Sequence, residues 1–418
     1  MNNIADEILR EREEKNQLIN SYLNDYDVIT LKANIPGSNK QLNIAYILIN
    51  YFHHQLIDRF KFINYLYFDD VSGPMYLYLV KKQQIKKEDL IKIEETKYGR
   101  FIDIDLFING INRSVNRNQL RKCYLCGEDA FICSRMKKHS YEELINYLNQ
   151  QVRFLLREII NECIITSMEK ELNLDPKFGL VTPTSNGSHN DMNYEMMKQS
   201  IMIIKDDLIE MFFNGYDHQG TLNELFNLNR KLGILTEQKM FKQSLNVNTY
   251  KGLIFILGQT LGSLGYALKN KKDFNSIFTN LKEMGKDLIN ELKQPSFVTK
   301  GVIAYQKYGI EGARGEIKNG LLSVRNLLAI NDMETNDDLL NALVYLIINI
   351  DDTVFLNRSG SIEKYQLFKK YFKELNINDG ESINQLNKMC IENNLSFGGC
   401  ADLLIVSIFL KMINNRLF

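Results

Sequence analysis

The chain has 418 residues, more than a single hydrophobic core usually holds, so its length predicts two domains. Basic and acidic residues both number 51, and this balance excludes an overall field that would attract nucleic acid or an anionic membrane. Because the N-terminus lacks a basic flank with an apolar core, and no apolar run reaches the roughly 18 residues of a membrane span, we predict a cytoplasmic globular protein.

The first 152 residues mix helical and strand patterns, which predicts a mixed α/β (α+β) domain. Helical periodicity covers 4–24 and 41–57, whereas β-branched and aromatic residues predict strands at 75–80 and 101–108. The pattern changes class at the end of this part without a flexible Gly/Ser segment. We therefore place the domain boundary after residue 152.

Asp103 and Asp105 are two positions apart on the second of these strands. Side chains on a strand repeat every two residues, so both carboxylates point to one face, roughly 7 Å apart along it. Such a pair suits Mg²⁺, which would neutralise a departing pyrophosphate, and the neighbouring Arg100 suits a phosphate group. A half-solvated strand without a ligand gives the same alternation and is the alternative.

Three cysteines and a histidine follow at a spacing that metal ligands use. These candidates are Cys123, Cys126, Cys133 and His139. Four such ligands suit tetrahedral Zn²⁺, and the two residues between Cys123 and Cys126 are the usual chelating interval. The second pair is unusually split, so reduced structural cysteines are the alternative. A disulfide is disfavoured in a cytoplasmic chain.

From residue 153 to residue 418 the pattern is almost wholly helical, which predicts an all-α domain. Helices are expected over 252–269, 317–331, 336–350 and 400–416. The segments between the helices hold nearly all the motifs with glycine, aspartate and arginine. Chemistry in this domain is therefore expected at helix ends.

Two glycine motifs in this domain suit phosphate binding. Gly398 and Gly399 precede Asp402 at the start of an apolar run, and paired glycines let backbone N–H groups approach a phosphate. In the other motif Arg314 lies among glycines and suits bidentate phosphate contact, while Glu316 suits a metal ligand or a base. The alternatives are a helix cap for the first motif and a capped turn with a surface ion pair for the second.

Asp351 and Asp352 follow a predicted helix, at the end where negative charge is unfavourable. A compensating cation would explain this location, so Asp352 becomes a candidate Mg²⁺ ligand. A simple helix stop is the alternative. Asp402 is expected at a helix beginning, where the helix dipole favours a carboxylate even without a ligand.

Four segments of the first domain carry a family resemblance. They are Arg10-Glu11-Arg12-Glu13, Ile35-Pro36-Gly37-Ser38-Asn39-Lys40, Gly99-Arg100-Phe101-Ile102-Asp103-Ile104-Asp105 and the stretch from Cys123 to His139. In this order they resemble apo-citrate lyase phosphoribosyl-dephospho-CoA transferase, except that this family usually has tryptophan at position 102. The resemblance implies transfer to a serine of the citrate lyase acyl carrier protein, with Asp103 and Asp105 holding Mg²⁺ and Arg100 stabilising the transferred phosphate.

The second domain resembles triphosphoribosyl-dephospho-CoA synthase, which joins ATP to dephospho-CoA with loss of adenine. The segments that carry the resemblance are Asp175 to Val181, Gly187 to Met192, Asn248 to Gly252, Gly309 to Glu316, Asp351 to Thr353 and Ser396 to Leu404. The chain departs from that family's usual residues at Phe178, Tyr250, Val354, Ser359, Phe397 and Cys400. Substrate contacts are implied at Lys177, Asp191, Asn248, Lys251, Arg314, Arg358, Gly398 and Gly399, Mg²⁺ ligands at Asp352 and Asp402, and a base or metal ligand at Glu316.

Together the two resemblances imply consecutive reactions in one bifunctional enzyme that matures the citrate lyase prosthetic group. Its substrates would be ATP and dephospho-CoA, and its protein partner the citrate lyase acyl carrier subunit. The altered positions Tyr250 and Val354 leave two alternatives open. The second domain either accepts a different nucleotide or serves as a noncatalytic binding module beside an active transferase.

Overall fold

The computed structural model describes residues 4–110, 121–294 and 299–418. The chain divides into two compact units, one comprising Met1–Glu158 with Asn415–Phe418 and the other comprising Ile159–Asn414. The first is α+β and the second is helical, which confirms the expected fold class. The boundary expected after residue 152 falls inside one long helix, and its position stays a prediction.

Among the described residues, the N-terminal unit contains one sheet of four strands. They are β1 (Asp27–Ala33), β2 (Asn64–Phe68), β3 (Met75–Val80) and β4 (Ile102–Phe107). All neighbouring strands are antiparallel, and the order across the sheet is β2-β3-β1-β4. β3 and β4 confirm the two predicted strands, whereas β1 and β2 are additional.

Helices pack on both faces of this sheet. They are α1 (Ile4–Tyr22), α2 (Asn43–Arg59), α3 (Lys87–Glu94), α4 (Ala130–Arg135) and the first part of α5 (Tyr141–Asn173), with a 3₁₀ turn at Gly99–Phe101. The first two confirm the helices predicted at 4–24 and 41–57. Ile19 of α1 joins Val28 and Leu77 in a core cluster on one face. On the other face His53 of α2 stacks on Tyr76, with ring centroids 4.0 Å apart.

The register between β1 and β4 decides which charged side chains share a face. Lys32 is opposite Asp103, and Thr30 is opposite Asp105. Val28, two residues before Thr30, belongs to the core under α1. Because side chains alternate along a strand, Lys32 and both aspartates lie on the face that α1 covers.

The C-terminal unit contains the end of α5 and a series of further helices. In the described residues these are α6 (Tyr194–Tyr216), α7 (Leu222–Gln243), α8 (Lys251–Lys269), α9 (Ser276–Met284), α10 (Leu288–Lys293), α11 (Lys300–Tyr308), α12 (Gly312–Lys318), α13 (Leu322–Leu328), α14 (Asn336–Asn349), α15 (Thr353–Ser359), α16 (Ile362–Glu374), α17 (Gly380–Glu392) and α18 (Gly398–Leu417). α6, α7 and α8 pack together, and the amide of Asn229 on α7 donates to the carbonyls of Met211 and Gly258, both at 3.2 Å. This packing fixes α8, whose first residues reach the candidate site.

Three of the four predicted helices in this unit are confirmed. The helix expected over 317–331 is wrong, because the chain turns between α12 and α13 at Gly320 and Leu321, both of which have positive φ. Among the described residues, no single helix is long and apolar enough to cross a membrane, although α14 and α15, which meet at a bend of 71°, satisfy the length and composition limits as a pair.

Candidate active sites

The N-terminal unit has a cavity of about 390 Å³ on the face that α1 covers. Its lining includes three basic side chains, Arg12, Lys32 and Lys40, together with the carboxylate of Asp103. Arg12 and Lys40 lie in segments that carry the family resemblance, but they were not among the predicted site residues, and neither was Lys32. The cavity therefore combines cations for an anionic ligand with one candidate metal ligand.

Burial makes the positive charges in this cavity costly. It lowers the pKa of Lys32, with Lys15 and Arg12 acting in the same direction, while Asp105 and Asp103 oppose the shift. Burial, and then the nearby Arg12, also lowers the pKa of Lys40. An anionic ligand would relieve the repulsion among these cations, so the cavity is chemically suited to an anion.

An ion pair between Lys15 and Asp70 supports a turn that lines this cavity. The ammonium of Lys15 is 2.6 Å from Asp70 and donates to the hydroxyl of Ser72 at 2.7 Å. Asp70 also accepts from the backbone N–H of Ser72 at 2.9 Å. These contacts hold the turn Ser72-Gly73-Pro74 against the cavity, where all three residues line it.

The guanidinium beside Asp103 is that of Arg121, which the sequence did not single out. Arg121 forms an ion pair with Asp103 and a second one with Glu94, at 2.7 Å. The predicted phosphate ligand Arg100 instead donates its Nε to the carbonyl of Lys122, at 2.8 Å. Asp105 shares the strand face but is not among the residues that line the cavity. The metal and phosphate roles of Arg100 and Asp105 stay predictions.

The four cysteine and histidine candidates come together in space. Ligand atoms of Cys123, Cys126, Cys133 and His139 all lie within 4.8 Å of one another. Cys123 and Cys133 are buried. The structure thus brings the four predicted ligands together despite the unusual spacing of the second pair, and their binding of Zn²⁺ stays a prediction.

The C-terminal unit has two adjoining cavities, of about 360 and 140 Å³. Gly252, Val354 and Asp402 line both of them. Gly252 is at the start of α8, and Asp402 is in the first turns of α18. The two cavities therefore meet where these two helix ends approach each other.

Asp352 is the N-cap of α15, so its expected location at an unfavourable helix end is wrong. Its carboxylate accepts from the backbone N–H groups of Val354 at 2.7 Å and Phe355 at 3.1 Å. It also accepts from the N–H of Cys400, at 3.0 Å, at the beginning of α18. Burial nevertheless raises the pKa of Asp352, although these hydrogen bonds favour the charged form. One carboxylate thus joins two helix beginnings beside the larger cavity.

Asp402 packs directly on the backbone of α8. A Cβ added to Gly252 would lie only 3.3 Å from the carboxyl carbon of Asp402 and closer still to Oδ2, so any larger residue there would displace this carboxylate. Burial raises the pKa of Asp402 well above its usual range, and the negative charges of Asp352 and Glu171 add to this effect. A cation that binds beside such carboxyl groups favours their charged form and so lowers their pKa values.

The larger cavity is strongly acidic. Its carboxylate residues are Glu311, Glu316, Asp351, Asp352 and Asp402, and no described residue that lines it is a lysine or arginine. Burial raises the pKa of Glu316, whose carboxylate accepts from the hydroxyl of Ser323 at 2.7 Å. The cluster is chemically suited to hold Mg²⁺.

The smaller cavity has mainly apolar walls and a buried ion pair. Lys177 donates to the carboxylate of Glu171 at 2.9 Å and to its carbonyl at 2.8 Å. The hydroxyl of Tyr250 is buried and has no hydrogen-bond partner within the described part of the chain. Glu171 was missed by sequence reasoning because it lies inside a long helix and outside every motif.

A histidine network forms part of the wall of this cavity, where His189 and Ser396 both line it. Arg358 donates to Nδ1 of His189 at 3.0 Å and to the carbonyl of Ser188 at 3.0 Å. Burial, followed by the nearby Arg358, lowers the pKa of His189 to about 4, so the ring is neutral near pH 7. Its Nε2–H then donates to the hydroxyl of Ser396, at 3.0 Å. Arg358 therefore orients the loop, and its predicted contact with substrate stays a prediction.

The remaining predicted residues are distributed around the two cavities. Gly399 lines the larger one, whereas Gly398, Asn248 and Lys251 line the smaller one. Lys251 is 3.0 Å from Glu237, and Arg314 is 3.6 Å from Glu291 and is not among the lining residues. Asp191 is exposed, 3.9 Å from His189. The substrate roles of these residues are not tested by their positions.

Comparisons with known proteins assign a separate family to each of the two units. Residues 157–417 match the family model described as ATP:dephospho-CoA triphosphoribosyl transferase, and residues 4–154 match that of apo-citrate lyase phosphoribosyl-dephospho-CoA transferase. "Protein CitXG" of Leuconostoc mesenteroides subsp. cremoris is 31% identical, over 93% of this chain and 92% of that protein. The chain belongs to the CitXG family.

Two further relatives agree with this membership. The CitXG protein of Haemophilus influenzae is 30% identical, over 96% of this chain and 94% of its own length. The 2-(5''-triphosphoribosyl)-3'-dephosphocoenzyme-A synthase of Haemophilus ducreyi is 29% identical, over 68% of this chain and 98% of its own length. The expected resemblances are confirmed, and this CitXG family member is a transferase that fuses two transferase domains.

Proposed function

We propose that the C-terminal unit joins ATP to dephospho-CoA and releases adenine. A ribose hydroxyl oxygen of dephospho-CoA forms a bond to C1′ of the ATP ribose, the bond from C1′ to adenine breaks, and adenine leaves with the hydroxyl proton. The triphosphate stays on the transferred ribose. The site must therefore hold a highly charged group, an aromatic base and a hydroxyl nucleophile side by side.

The acidic lining of the larger cavity is the observation that supports this assignment best. Glu316, Asp352 and Asp402 lie there without a cation among the described lining residues. Such a wall repels a triphosphate unless a divalent cation offsets its negative charge, and these three carboxylates would hold Mg²⁺ there. When bound, Mg²⁺ would neutralise phosphate charge in this cavity. We assign the triphosphate to it, with Glu316 as a further metal ligand or a base.

The smaller cavity suits the adenine base. Its aliphatic lining residues are Leu180, Val181, Met192, Met197, Val354, Ala401 and Ile405. The hydroxyl of Tyr250 lies buried in the same wall and is able to donate a hydrogen bond to a ring nitrogen of the leaving base. Asp402 lines both cavities, as Gly252 and Val354 do, so its carboxylate lies where we place the ribose, which carries the base on C1′ and the triphosphate on C5′.

We propose for the N-terminal unit the transfer of phosphoribosyl-dephospho-CoA to a serine of the citrate lyase acyl carrier protein. The serine oxygen forms a bond to the phosphorus next to the ribose, and the bond from that phosphorus to pyrophosphate breaks. Arg12, Lys32 and Lys40 would hold the triphosphate in their cavity. Asp103 would bind Mg²⁺, and Arg121 beside it would stabilise the charge on the transferred phosphate.

The protein partner is argued from the N-terminal family. Its name implies the citrate lyase carrier as acceptor, and the carrier of malonate decarboxylase is the alternative. Fusion of the two units in one chain keeps the intermediate near its consumer.

A second candidate function for the C-terminal unit is binding without catalysis, or action on another nucleotide. The observation in its favour is that two predicted phosphate ligands are already paired, Lys177 with Glu171 and Arg314 with Glu291. Cations that are neutralised in this way have less charge to offer a triphosphate. Direct assay of each unit in the whole chain separates the two possibilities.

The decisive experiment measures both reactions in two variants of the full chain. Asp402→Asn should abolish adenine release and leave carrier modification intact when the intermediate is supplied. Lys32→Gln should do the reverse. If Asp402→Asn released adenine at the wild-type rate, the C-terminal site would be wrongly assigned, and if Lys32→Gln modified the carrier at the wild-type rate, the N-terminal site would be.

A further inference from the structure

Four metal-ligating side chains of the N-terminal unit take no part in either proposed reaction. Sulfur atoms of Cys123, Cys126 and Cys133 and a ring nitrogen of His139 lie within 4.8 Å of one another. The sulfurs of Cys123 and Cys133 are 3.6 Å apart, close to the roughly 3.8 Å expected for two thiolates on a tetrahedral zinc ion with 2.3 Å bonds. We propose that these four residues bind one Zn²⁺ and that this site holds Arg121 in place.

A tight turn brings the first two thiols together. The N–H of Cys123 donates to the carbonyl of Glu128 at 2.6 Å, and the N–H of Gly127 donates to the carbonyl of Cys123 at 2.9 Å. Gly127 has φ of 72°, a left-handed conformation that favours glycine, while a Cβ there would meet nothing within 4 Å. The glycine is thus explained by the turn that follows Cys126, and this turn directs both sulfurs to one side.

The other two ligands come from a short helix and its exit. The carboxylate of Asp129 caps α4 by accepting from the N–H groups of Phe131 and Ile132, which fixes the helix that carries Cys133. The chain then folds back, and the N–H of Lys138 donates to the carbonyl of Cys133 at 3.1 Å. His139 follows directly. Its Nε2 atom is buried and has no hydrogen-bond partner in the described residues, as expected for a nitrogen that has a metal to bind.

This segment lacks a hydrocarbon core of its own. Between residues 121 and 140 the only buried residues are Cys123 and Cys133, all twenty positions being described. Tyr124 and Leu125 are half-buried, and three large apolar side chains point outward: Phe131 is 62% exposed, Ile132 52% and Met136 75%. A small segment with thiols where hydrocarbon would be needed is stabilised by a metal ion. Two cysteines joined by a disulfide would leave the third thiol and the imidazole unexplained.

Contacts at the first two residues of this segment, Arg121 and Lys122, connect it to the proposed transferase site. The N–H of Ala130 donates to the carbonyl of Arg121 at 2.9 Å, and Lys122 forms a β-bridge with Asp129. Arg121 in turn pairs with Asp103 in the cavity, and Arg100 donates to the carbonyl of Lys122. Zinc would thus fix the backbone from which Arg121 reaches Asp103. This positioning role rests on the function proposed for the N-terminal unit, whereas zinc binding does not.

Metal analysis of the full-length chain tests zinc binding without any activity assay. Protein purified in reductant should contain one zinc ion per chain and no stoichiometric iron. Cys126→Ser should lose that zinc, and the matched control Cys390→Ala, at a buried cysteine of the C-terminal unit, should keep it. A wild-type chain that holds no zinc after zinc supplementation, or that holds iron in its place, would overturn the site.

A second measurement covers the case in which Cys126→Ser fails to fold. Metal-depleted wild-type chain titrated with Co²⁺ should develop the absorption bands of a tetrahedral cobalt thiolate, and Zn²⁺ should abolish them. No bands, or loss of free thiols to a disulfide under reducing conditions, would contradict the proposal.

The positioning role has its own readout. Zinc removal should lower carrier modification with supplied intermediate by about 100-fold, since misplacement of a charged group by roughly 1 Å has this effect. Adenine release should not change, which shows that the rest of the chain is folded. Zinc loss with unchanged carrier modification would overturn positioning and leave zinc binding intact. A wild-type chain that modifies no carrier would refute the N-terminal function, while its zinc content would still decide the site.

Discussion

Replacement of Gly252 by alanine should inactivate the C-terminal unit without unfolding it. The new methyl carbon would lie well inside 3.0 Å of Oδ2 of Asp402, a distance that real Cβ atoms do not show. Ordinary contact begins at 3.4 Å, so the carboxylate must move by about 1 Å. Since the obstructing atom ends a rotatable side chain and is not backbone, the fold can accommodate this movement.

The expected magnitude follows from the position of Asp402 between the two cavities. A displacement of about 1 Å at a reacting centre costs on the order of 100-fold in rate. We therefore expect kcat/KM for adenine release to fall by about that factor. Carrier modification from supplied intermediate should be unchanged, and the midpoint of thermal unfolding should shift by only a few degrees.

Gly233→Ala is the matched control. Gly233 is also a helical glycine of the C-terminal unit, but a Cβ there would be 3.7 Å from its nearest neighbours, which is ordinary contact. Alanine in a helix interior should stabilise the unit by about 0.5–1 kcal/mol and leave adenine release intact. Wild-type activity in Gly252→Ala would refute the reasoning, because it would mean that Asp402 is free to move without consequence.

Three further predictions concern the same unit. Tyr250→Phe should lower kcat for adenine release by about 10-fold. Stability should change little, because the buried hydroxyl has no hydrogen-bond partner in the described residues that its removal would leave unsatisfied. An unchanged kcat would remove Tyr250 from the mechanism. Lys177→Met should lower the free energy of unfolding in urea by about 3–5 kcal/mol, because it leaves the buried Glu171 without its partner. The double variant Lys177→Met with Glu171→Gln should recover most of that loss. Because the pKa values of Asp352 and Asp402 are raised, the folded metal-free chain binds protons more tightly than the unfolded chain, and its stability should fall as pH rises above about 4. The increase in melting temperature on adding Mg²⁺ should therefore grow with pH. An increase that shrinks as pH rises would contradict the metal assignment.

The parts of the fold that follow local sequence rules were predictable. β3 is fully buried and β4 alternates regularly, so both show a strand pattern, whereas β2 is a largely exposed edge strand and shows none. The break between α12 and α13 depends on left-handed backbone at Leu321 as well as at Gly320, and a leucine gives no signal of a positive φ. β1 was missed although it is central and its first five residues are buried, because Asp27, Thr30 and Lys32 interrupt its apolar residues. Sequence patterns therefore identify elements with a regular apolar pattern better than mixed strands and breaks.

The candidate sites show the same division. Cys123 and Cys126 are separated by the interval that chelating cysteines use, so spacing alone could single them out. Arg121 meets Asp103 only because the chain returns to the sheet, and Glu171 meets Asp402 only through helix packing. Neither residue belongs to a motif, so only the folded chain could reveal them.

Asp352 was singled out by an argument that the structure contradicts. The sequence placed it at the end of α14, where its charge needs a cation to explain it. In the structure it caps the next helix and accepts three backbone hydrogen bonds. An aspartate directly before a helix is a typical N-cap, and here Asp352 precedes Thr353, the first residue of α15. The apolar run of α14 makes this signal hard to recognise in the sequence.

The most direct test of the account is chromatography of the full chain after incubation with ATP, Mg²⁺ and dephospho-CoA. The account predicts adenine and triphosphoribosyl-dephospho-CoA in equal amounts, and neither of them when Mg²⁺ is omitted. Folded protein that forms neither product, yet still modifies the carrier with supplied intermediate, would contradict the catalytic role of the C-terminal unit and favour a binding module.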